Sequence, residues 1–312
     1  MTAAPSPSPS PSRRGLLLGV GAYVSWGFLP LYLRLLSHVP PMQVLAHRVL
    51  WSLLLLGVIV VVARRVGDIR RAARGRTLLL LAASAALIAI NWYVFIWAIN
   101  SGHALSASLG YFINPLVNVA LGVAVLGERL RRLQGVAIAV AAAGVLVMAV
   151  AGGVGVLWVP LALATSFGTY GLVRKVVAID ALGGLTIETL LLAPLCLAVV
   201  LLAGQGGDGT GAAFGHDRYT DLLLIGSGAA TAAPLLMFAA AARAMPYSTL
   251  GLLQYIAPSM QFVEAVWLFG EPLRGYHLAT FGLIWTGCAL FAWDSVRASR
   301  RDGPGTAAPD RR

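Results

Sequence analysis

Two stretches decide the fold: YFINPLVNVALGVAVLGERL, residues 111–130, and QYIAPSMQFVEAVWLFGEPL, residues 254–273. Laid over one another at an offset of 143 without a gap, Ile113 meets Ile256, Pro115 meets Pro258 and Asn118 meets Gln261. Gly127-Glu128 then meets Gly270-Glu271, and Leu130 meets Leu273. The register extends outward to Phe95 and Phe238, Ala98 and Ala241, and Gly144 and Gly287. Any two hydrophobic runs share apolar residues by chance, but chance does not keep Pro, Gly and Glu in step. A weaker echo, SWG at 25–27 against SFG at 166–168, falls at an offset of 141. The chain reads as an internal duplication.

Composition says what is duplicated. The 312 residues are 58% hydrophobic and 11% charged, with a mean hydropathy of +0.80. A soluble domain carries roughly 25% charged residues, so this is an integral membrane protein. A helix needs about 20 apolar residues to cross a bilayer core. Ten runs meet that need, at 15–36, 41–62, 77–100, 104–126, 133–151, 156–174, 185–203, 221–243, 248–269 and 275–294. Runs this long are helical, because the backbone must satisfy its own hydrogen bonds in lipid. The fold class is therefore all-α, with ten transmembrane helices in two copies of five, 15–151 and 156–294. Five is odd, so the second copy lies upside down in the membrane. Inverted repeats of this kind build secondary transporters, with the substrate near the midplane between the halves. Residues 1–14 form a Pro/Ser-rich leader and 295–312 a basic tail, both expected to be disordered. A cleaved signal peptide competes for the first run, but that run is long, contains Trp26 and Pro30, and lacks an A-x-A site after it.

Basic residues set the orientation. With the N-terminus inside, 19 of the 23 Lys and Arg fall in inner loops and tails, three (Arg34, Arg218, Arg274) fall outside, and Arg48 alone lies within a span. Both termini are thereby cytoplasmic. The net charge of +11 is explained by topology and calls for no nucleic-acid partner. The Arg64–Arg76 cluster reads first as a topology signal and second as a site for anionic lipid. The single lysine, Lys175, follows Arg174 and not Gly, which excludes a Walker-type phosphate loop. Cys196 and Cys288 lie inside apolar runs and read as small core residues. No metal or cofactor motif is present.

Further motifs carry a resemblance. They are AHRVLWS (46–52), NWYVFIWAIN (91–100), SASLGYFINPL (106–116) and GERL (127–130) in the first half, and YGLVRK (170–175), GLTIETLLLAP (184–194), PYSTLGLLQYIAPSMQF (246–262) and FGEPL (269–273) in the second. In these segments the chain resembles the drug/metabolite transporter superfamily, and within it EamA-type carriers of the RarD group. The resemblance covers about residues 15–295. It implies a ten-helix permease of the bacterial inner membrane, with two EamA repeats. Group members are described as chloramphenicol-sensitivity or permease proteins, and the resemblance supplies no substrate.

Ionisable groups inside spans point to function by default, because a charge in hydrocarbon is costly. Four qualify: His47, Arg48, Glu188 and Glu264. At 1.5 Å per residue, Arg48 lies about 10 Å and Glu264 about 8 Å below the outer ends of their helices, while Glu188 is about 5 Å in from the inner side. Depth makes Glu264 the expected partner of Arg48, and the repeat makes Glu188 the counterpart of the His47/Arg48 region. Arg48 then binds an anionic group of the substrate, or a carboxylate takes a coupling proton. The alternatives are a permanent structural Arg–carboxylate pair, or snorkelling of Glu188 to the surface. Pro115 and Pro258 are hinge candidates, each removing a backbone hydrogen bond, or else simple packing kinks. Tyr111 and Asn114 flank the first, and Gln254 and Tyr255 the second, which ranks these four above Trp26, Asn91 and Tyr170 as pocket-lining candidates. Glu128 and Glu271 are expected to orient helix ends.

These features favour a secondary carrier that exports or exchanges a small polar metabolite or drug by alternating access. Its partners are a small-molecule substrate, the bilayer and, in one version, protons, with room for a homodimer. Uptake of a polar or anionic metabolite is the alternative. A membrane-embedded enzyme would need HExxH, GxSxG, clustered His/Cys ligands or paired Asp, and none occurs. A channel would want a ring of charge or an oligomeric filter.

Overall fold

The computed structural model describes residues 13–126, 131–203, 211–244 and 253–301. All regular structure among them is helical. Chain order gives α1 (Arg13–Gly27), α2 (Leu29–Leu35), α3 (Pro41–Val62), α4 (Val66–Ala72), α5 (Arg76–Asn100), α6 (Ala104–Leu126) and α7 (Arg132–Gly152). After a 3₁₀ turn at Val154–Leu157 come α8 (Trp158–Val176), α9 (Ala181–Ala203), α10 (Arg218–Ala244), α11 (Ile256–Val263) with a π turn at Glu264–Leu268, and α12 (Gly275–Arg301). Eight helical segments among the described residues are long and apolar enough to cross a membrane: 13–35, 41–62, 76–100, 104–125, 132–152, 155–176, 181–203 and 218–241. The ninth and tenth expected runs are represented by α11 with its π turn and by α12, which fall outside those eight. The last helix continues to Arg301, beyond the expected end at 294, and the first begins at Arg13, inside the expected leader. Many outward side chains are apolar: Val62, Val150, Trp267, Leu195 and Leu17 are 65–78% exposed. A soluble fold would bury such surface, whereas lipid accepts it.

Proline places the breaks. The first run, read as one span, bends at Phe28 between α1 and α2. Pro30 has no N–H to give the carbonyl of Trp26 four residues back, and the side chain of Gln261 takes that acceptor at 3.1 Å. Before α11 the chain turns at Gln254–Tyr255. Pro258 thus lies in the first turn of a helix, where a missing N–H costs least, and not in mid-helix as expected. Pro115 does sit inside α6. The Arg-rich connection between α3 and α5 is not wholly irregular: part of it folds as α4.

The helices cross-brace the two halves. α1 packs on α10, α3 on α9 and α10, α5 on α8 and α9, α6 on α8, α11 on α1 and α6, and α7 on α12. Two glycines set the α7–α12 approach. A Cβ on Gly287 would lie 2.6 Å from the carbonyl oxygen of Ala137, and one on Gly144 would lie 3.0 Å from that of Thr280. Thr280 also donates to the Gly144 carbonyl at 3.1 Å. The contacts pair 144 with 280 and 137 with 287, so the two helices run antiparallel.

Candidate functional site

Arg48 is the eighth residue of α3, on the side that meets α5 and α10, and only 3% of it is exposed. Its Nε donates to Thr231 Oγ1 of α10 at 2.5 Å. Thr231 can accept because its own hydroxyl proton goes to the Ser227 carbonyl at 2.8 Å. The guanidinium carbon stands 4.9 Å from the ring centroid of Trp92 on α5, a cation–π contact that strengthens when water is excluded. Tyr111 and Tyr32 are the ionisable side chains close enough to feel its charge. Tyr32 donates its hydroxyl to the Leu223 carbonyl, and Tyr111 donates to Asn91 Oδ1 at 3.1 Å. Asn91 in turn gives its amide to the Leu163 carbonyl and Ser166 Oγ, both at 3.0 Å. Among the described residues no carboxylate pairs with Arg48, and its buried Nη1 has no partner.

The expected Arg48–Glu264 pair does not form. Depth was the ground for it, and depth does not say which helices are neighbours. α3 packs on α5, α9 and α10, while the helix leading into Glu264 packs on α1 and α6. Glu264 opens the π turn, is 4% exposed, and has both carboxylate oxygens buried without a partner.

Glu188, fully buried on α9, is the compensated member of the set. It accepts from Ser84 Oγ of α5 at 2.6 Å and from the Tyr170 hydroxyl of α8 at 3.3 Å, and Arg174 Nη1 lies 3.6 Å away. Snorkelling is thereby replaced by an internal pair. Arg174, the last residue of the expected 156–174 run, belongs to the last turn of α8, and its guanidinium fills the space over Gly184: a Cβ there would be 1.7 Å from Nη1. Arg174 Nη2 also donates to the Asp180 carbonyl at 3.2 Å. Asp180 caps α9 through the Gly183 amide at 3.0 Å and takes Arg65 Nη1 at 2.6 Å. That hydrogen bond and the charge behind it hold the Arg65 guanidinium above its ordinary value.

The remaining candidates scatter. His47, 5% exposed, stacks on Phe214 at 5.2 Å, below the loop that joins α9 to α10. Asn114 is 5% exposed with a partnerless Oδ1. Tyr255 stacks on Phe112 at 6.2 Å and bonds to Cys288. Gln254 is half-buried at the turn before α11. Glu271 accepts from the Ala104 and Leu105 amides at 2.6 and 2.9 Å, supplying the first turn of α6 with an acceptor from outside the helix. Glu128 lies outside the described residues. A cavity of about 320 Å³ opens where the α2–α3 connection meets the α9–α10 loop, lined by His38, Pro40, His216, Asp217 and Thr220 among others. It lies at the N-terminal end of α3, and its lining does not include Arg48. Two amides at the start of α10 aside, Thr220 also gives Asp217 its hydroxyl at 2.8 Å, and these bonds hold the Asp217 carboxyl below the usual carboxylate range. Sequence reasoning missed Trp92, Thr231, Ser84, Arg174 and Gln261 as site partners. Trp92 adjoins Asn91 in a quoted motif and Gln261 matches Asn118 in the repeat; Thr231 and Ser84 carry no distinguishing sequence signal.

An all-helical, lipid-clad bundle with an unpaired arginine buried in a spanning helix is the build of a multi-pass membrane transporter. Comparison with known proteins agrees. The EamA-like transporter family matches residues 13–150. The chain is 45% identical to the RarD protein of Streptomyces exfoliatus, over 93% of this chain and 91% of that one. It is 43% identical to an uncharacterized transporter of Pseudomonas aeruginosa, over 93% and 96%. In fold it is similar to a solved crystal structure at a TM-score of 0.59 and 20% identity, covering 91% of this chain and 98% of that one. The protein belongs to the EamA-like transporter family, in its RarD group.

Proposed function

We propose that the protein is a secondary-active carrier of the bacterial plasma membrane that exports a small metabolite or drug carrying an anionic group. Two inverted five-helix halves rock about a central site, and both termini face the cytoplasm. The observation that carries the reading is Arg48. A guanidinium buried in a spanning helix, with an aromatic face on one side, a threonine on Nε and a partnerless Nη1, is half of a charge-assisted hydrogen-bonding site. Arg174 Nη1 also makes no hydrogen bond, but it has a counter-charge in Glu188 at 3.6 Å, and Arg48 has none among the described residues. The substrate supplies the missing acceptor.

Helix packing supports the inverted repeat. Exchange of each first-half helix for its counterpart (α1 for α8, α3 for α9, α5 for α10, α6 for α11, α7 for α12) carries α1–α10 onto α8–α5, α3–α10 onto α9–α5 and α6–α8 onto α11–α1. α3–α9 and α7–α12 map onto themselves. The α7–α12 crossing supports the inversion itself, since residues 144 and 287, and 137 and 280, are 143 apart and make reciprocal contacts in antiparallel helices. A carrier that presents one site alternately to two sides needs two such near-equivalent packings.

The test is a comparison of small molecules in medium and cytosol, from cells with the protein, without it, and with Arg48→Ala inserted at the same level. A solute that accumulates outside only with the intact protein supports export of that solute. Accumulation inside reverses the direction, and unchanged flux in Arg48→Ala overturns the site.

A further inference from the structure

We propose that Gln261 and Glu264 form a buried proton-binding site, and that the proton held there is the ion this carrier couples to its solute. The coupling role rests on the carrier reading above; the bound proton does not.

Glu264 and Gln261 lie one helical turn apart and are 4% and 3% exposed. Gln261 spends its amide on the Trp26 carbonyl, leaving Oε1 buried and without a partner. With the two oxygens of Glu264, three atoms without partners among the described residues lie within one helical turn, and all three are acceptors. A carboxylate buried as an ion with no donor and no cation carries a prohibitive desolvation cost. The neighbours supply no answer. On α1 the ionisable group nearby is Tyr23, enclosed by the rings of Trp26 and Phe238. On α6 it is Tyr111, whose hydroxyl is given to Asn91. Beyond the π turn, Arg34 of α2 lies over Phe269 at 5.2 Å and donates to the Ile99 carbonyl at 3.0 Å, and Glu271 is taken up by the α6 amides. Cys288 of α12 donates its S–H to the Phe112 carbonyl.

One proton resolves the cluster. A protonated Glu264 gains an O–H donor, and Gln261 Oε1 on the same helix face is an acceptor for it. A hard metal cation takes about six oxygens, twice what this pair offers. The backbone is adapted at the same point: Phe269 N–H reaches back five residues to the Glu264 carbonyl at 2.8 Å, and such π turns gather at functional sites.

The site is also placed to move something. Gln261 holds the carbonyl that Pro30 leaves open at the α1–α2 bend. When the proton leaves for water, the carboxylate requires a donor, and the amide of Gln261 is the donor of the pair. Drawing it over to Glu264 releases the Trp26 carbonyl and loosens α1 from α11. Proton occupancy thereby sets the packing of the bend. The repeat contains this device once: at the offset of 143, Gln261 answers to Asn118, but Glu264 answers to Leu121.

The test of the bound proton needs no substrate. Full-length protein in lipid nanodiscs is examined by infrared difference spectroscopy for a buried protonated carboxyl, in wild type and in Glu264→Gln, the neutral isostere. The expected result is a carboxylic-acid band at neutral pH, worth about one group per chain, lost in Glu264→Gln and lost reversibly in wild type as pH rises. In parallel, a hydrophobic carbodiimide, which needs a protonated carboxyl, labels the wild type at Glu264 and not at Glu188, located by mass spectrometry; this arm stands even where the variant fails to fold. Absence of both band and label at neutral pH, or a band unchanged by Glu264→Gln, overturns the proposal. A band removed by sodium at fixed pH replaces the proton with a metal ion and overturns it as well. Transport that persists without the band sinks this proposal and leaves the carrier reading standing.

Discussion

Arg48 and Glu188 are each the eighth residue of the second spanning helix in their half, and those two helices pack against one another. One is a buried cation and the other a buried anion, yet they do not share a fate. Around Glu188 the protein has closed the circuit: Arg174, Ser84 and Tyr170 converge on its two oxygens. Around Arg48 it has not: Thr231 takes Nε, Trp92 offers a ring face, and Nη1 is left open. A buried charge that the protein answers is part of the scaffold. Under the proposed carrier reading, one that it leaves half-answered is the place for a substrate group. Ordinal position in the helix makes the two residues alike, and their neighbours separate them.

The contrast can be broken most directly at Glu188. Its replacement by Ala leaves Arg174 buried beside Gly184 with no counter-charge, and removal of one partner from a buried pair costs about 3–5 kcal/mol. Thermal or chemical unfolding of the purified protein in detergent is expected to show that loss for Glu188→Ala, and Glu188→Ala with Arg174→Met is expected to recover part of it. If Arg48→Met destabilises as much as Glu188→Ala, the two sites are alike and the distinction falls. At Arg48 the effect belongs to flux. Loss of a charge-assisted hydrogen bond to a ligand is worth about 1.5–3 kcal/mol, roughly 10- to 100-fold. Export of the identified solute by Arg48→Ala is expected to drop by that factor with membrane insertion unchanged, and Arg48→Lys, which keeps the charge but not the planar fork, is expected to fall between.

The α7–α12 seam sharpens the symmetry of the halves. Gly287→Val and Gly144→Val each drive a side chain toward a facing backbone carbonyl, and overpacking of this kind costs about 1–3 kcal/mol. Similar losses in the two variants, read by the same unfolding assay, fit reciprocal contacts; a large effect in one and none in the other does not. The smallest effect is expected at the exposed Arg65–Asp180 bridge. Arg65→Gln removes a pair in which both side chains are about a third exposed, where water and salt screen the attraction, so unfolding is expected to be unchanged within error.

The duplication in residues 111–130 and 254–273 was readable because Pro, Gly and Glu are rare in apolar runs and fell in step. The bundle was readable because lipid imposes long uniform helices. Break positions were less so: Pro30 and Pro258 were visible, but whether a proline bends a span or begins a helix depends on what takes the freed carbonyl. For Trp26 that is Gln261, 235 residues away. Arg174 could be read as the end of the 156–174 run and counted toward topology, but its pairing with Glu188 needed the α8–α9 turn to fold one helix end back over Gly184.

By itself the sequence determined the class of the protein and the short set of charges within its apolar runs, and it pointed to a duplication. Each of these follows from a cost that lipid exacts residue by residue, for every apolar stretch and every charge, wherever the helices end up. The tertiary structure alone decided which charge is answered. Partnership is settled by which helices touch, and α3 meets α5 and α10 while α11 meets α1 and α6. That arrangement parts Arg48 from Glu264, gives Glu188 to Arg174, and leaves Arg48 Nη1 and both oxygens of Glu264 among the buried atoms that find no hydrogen-bond partner in the described residues.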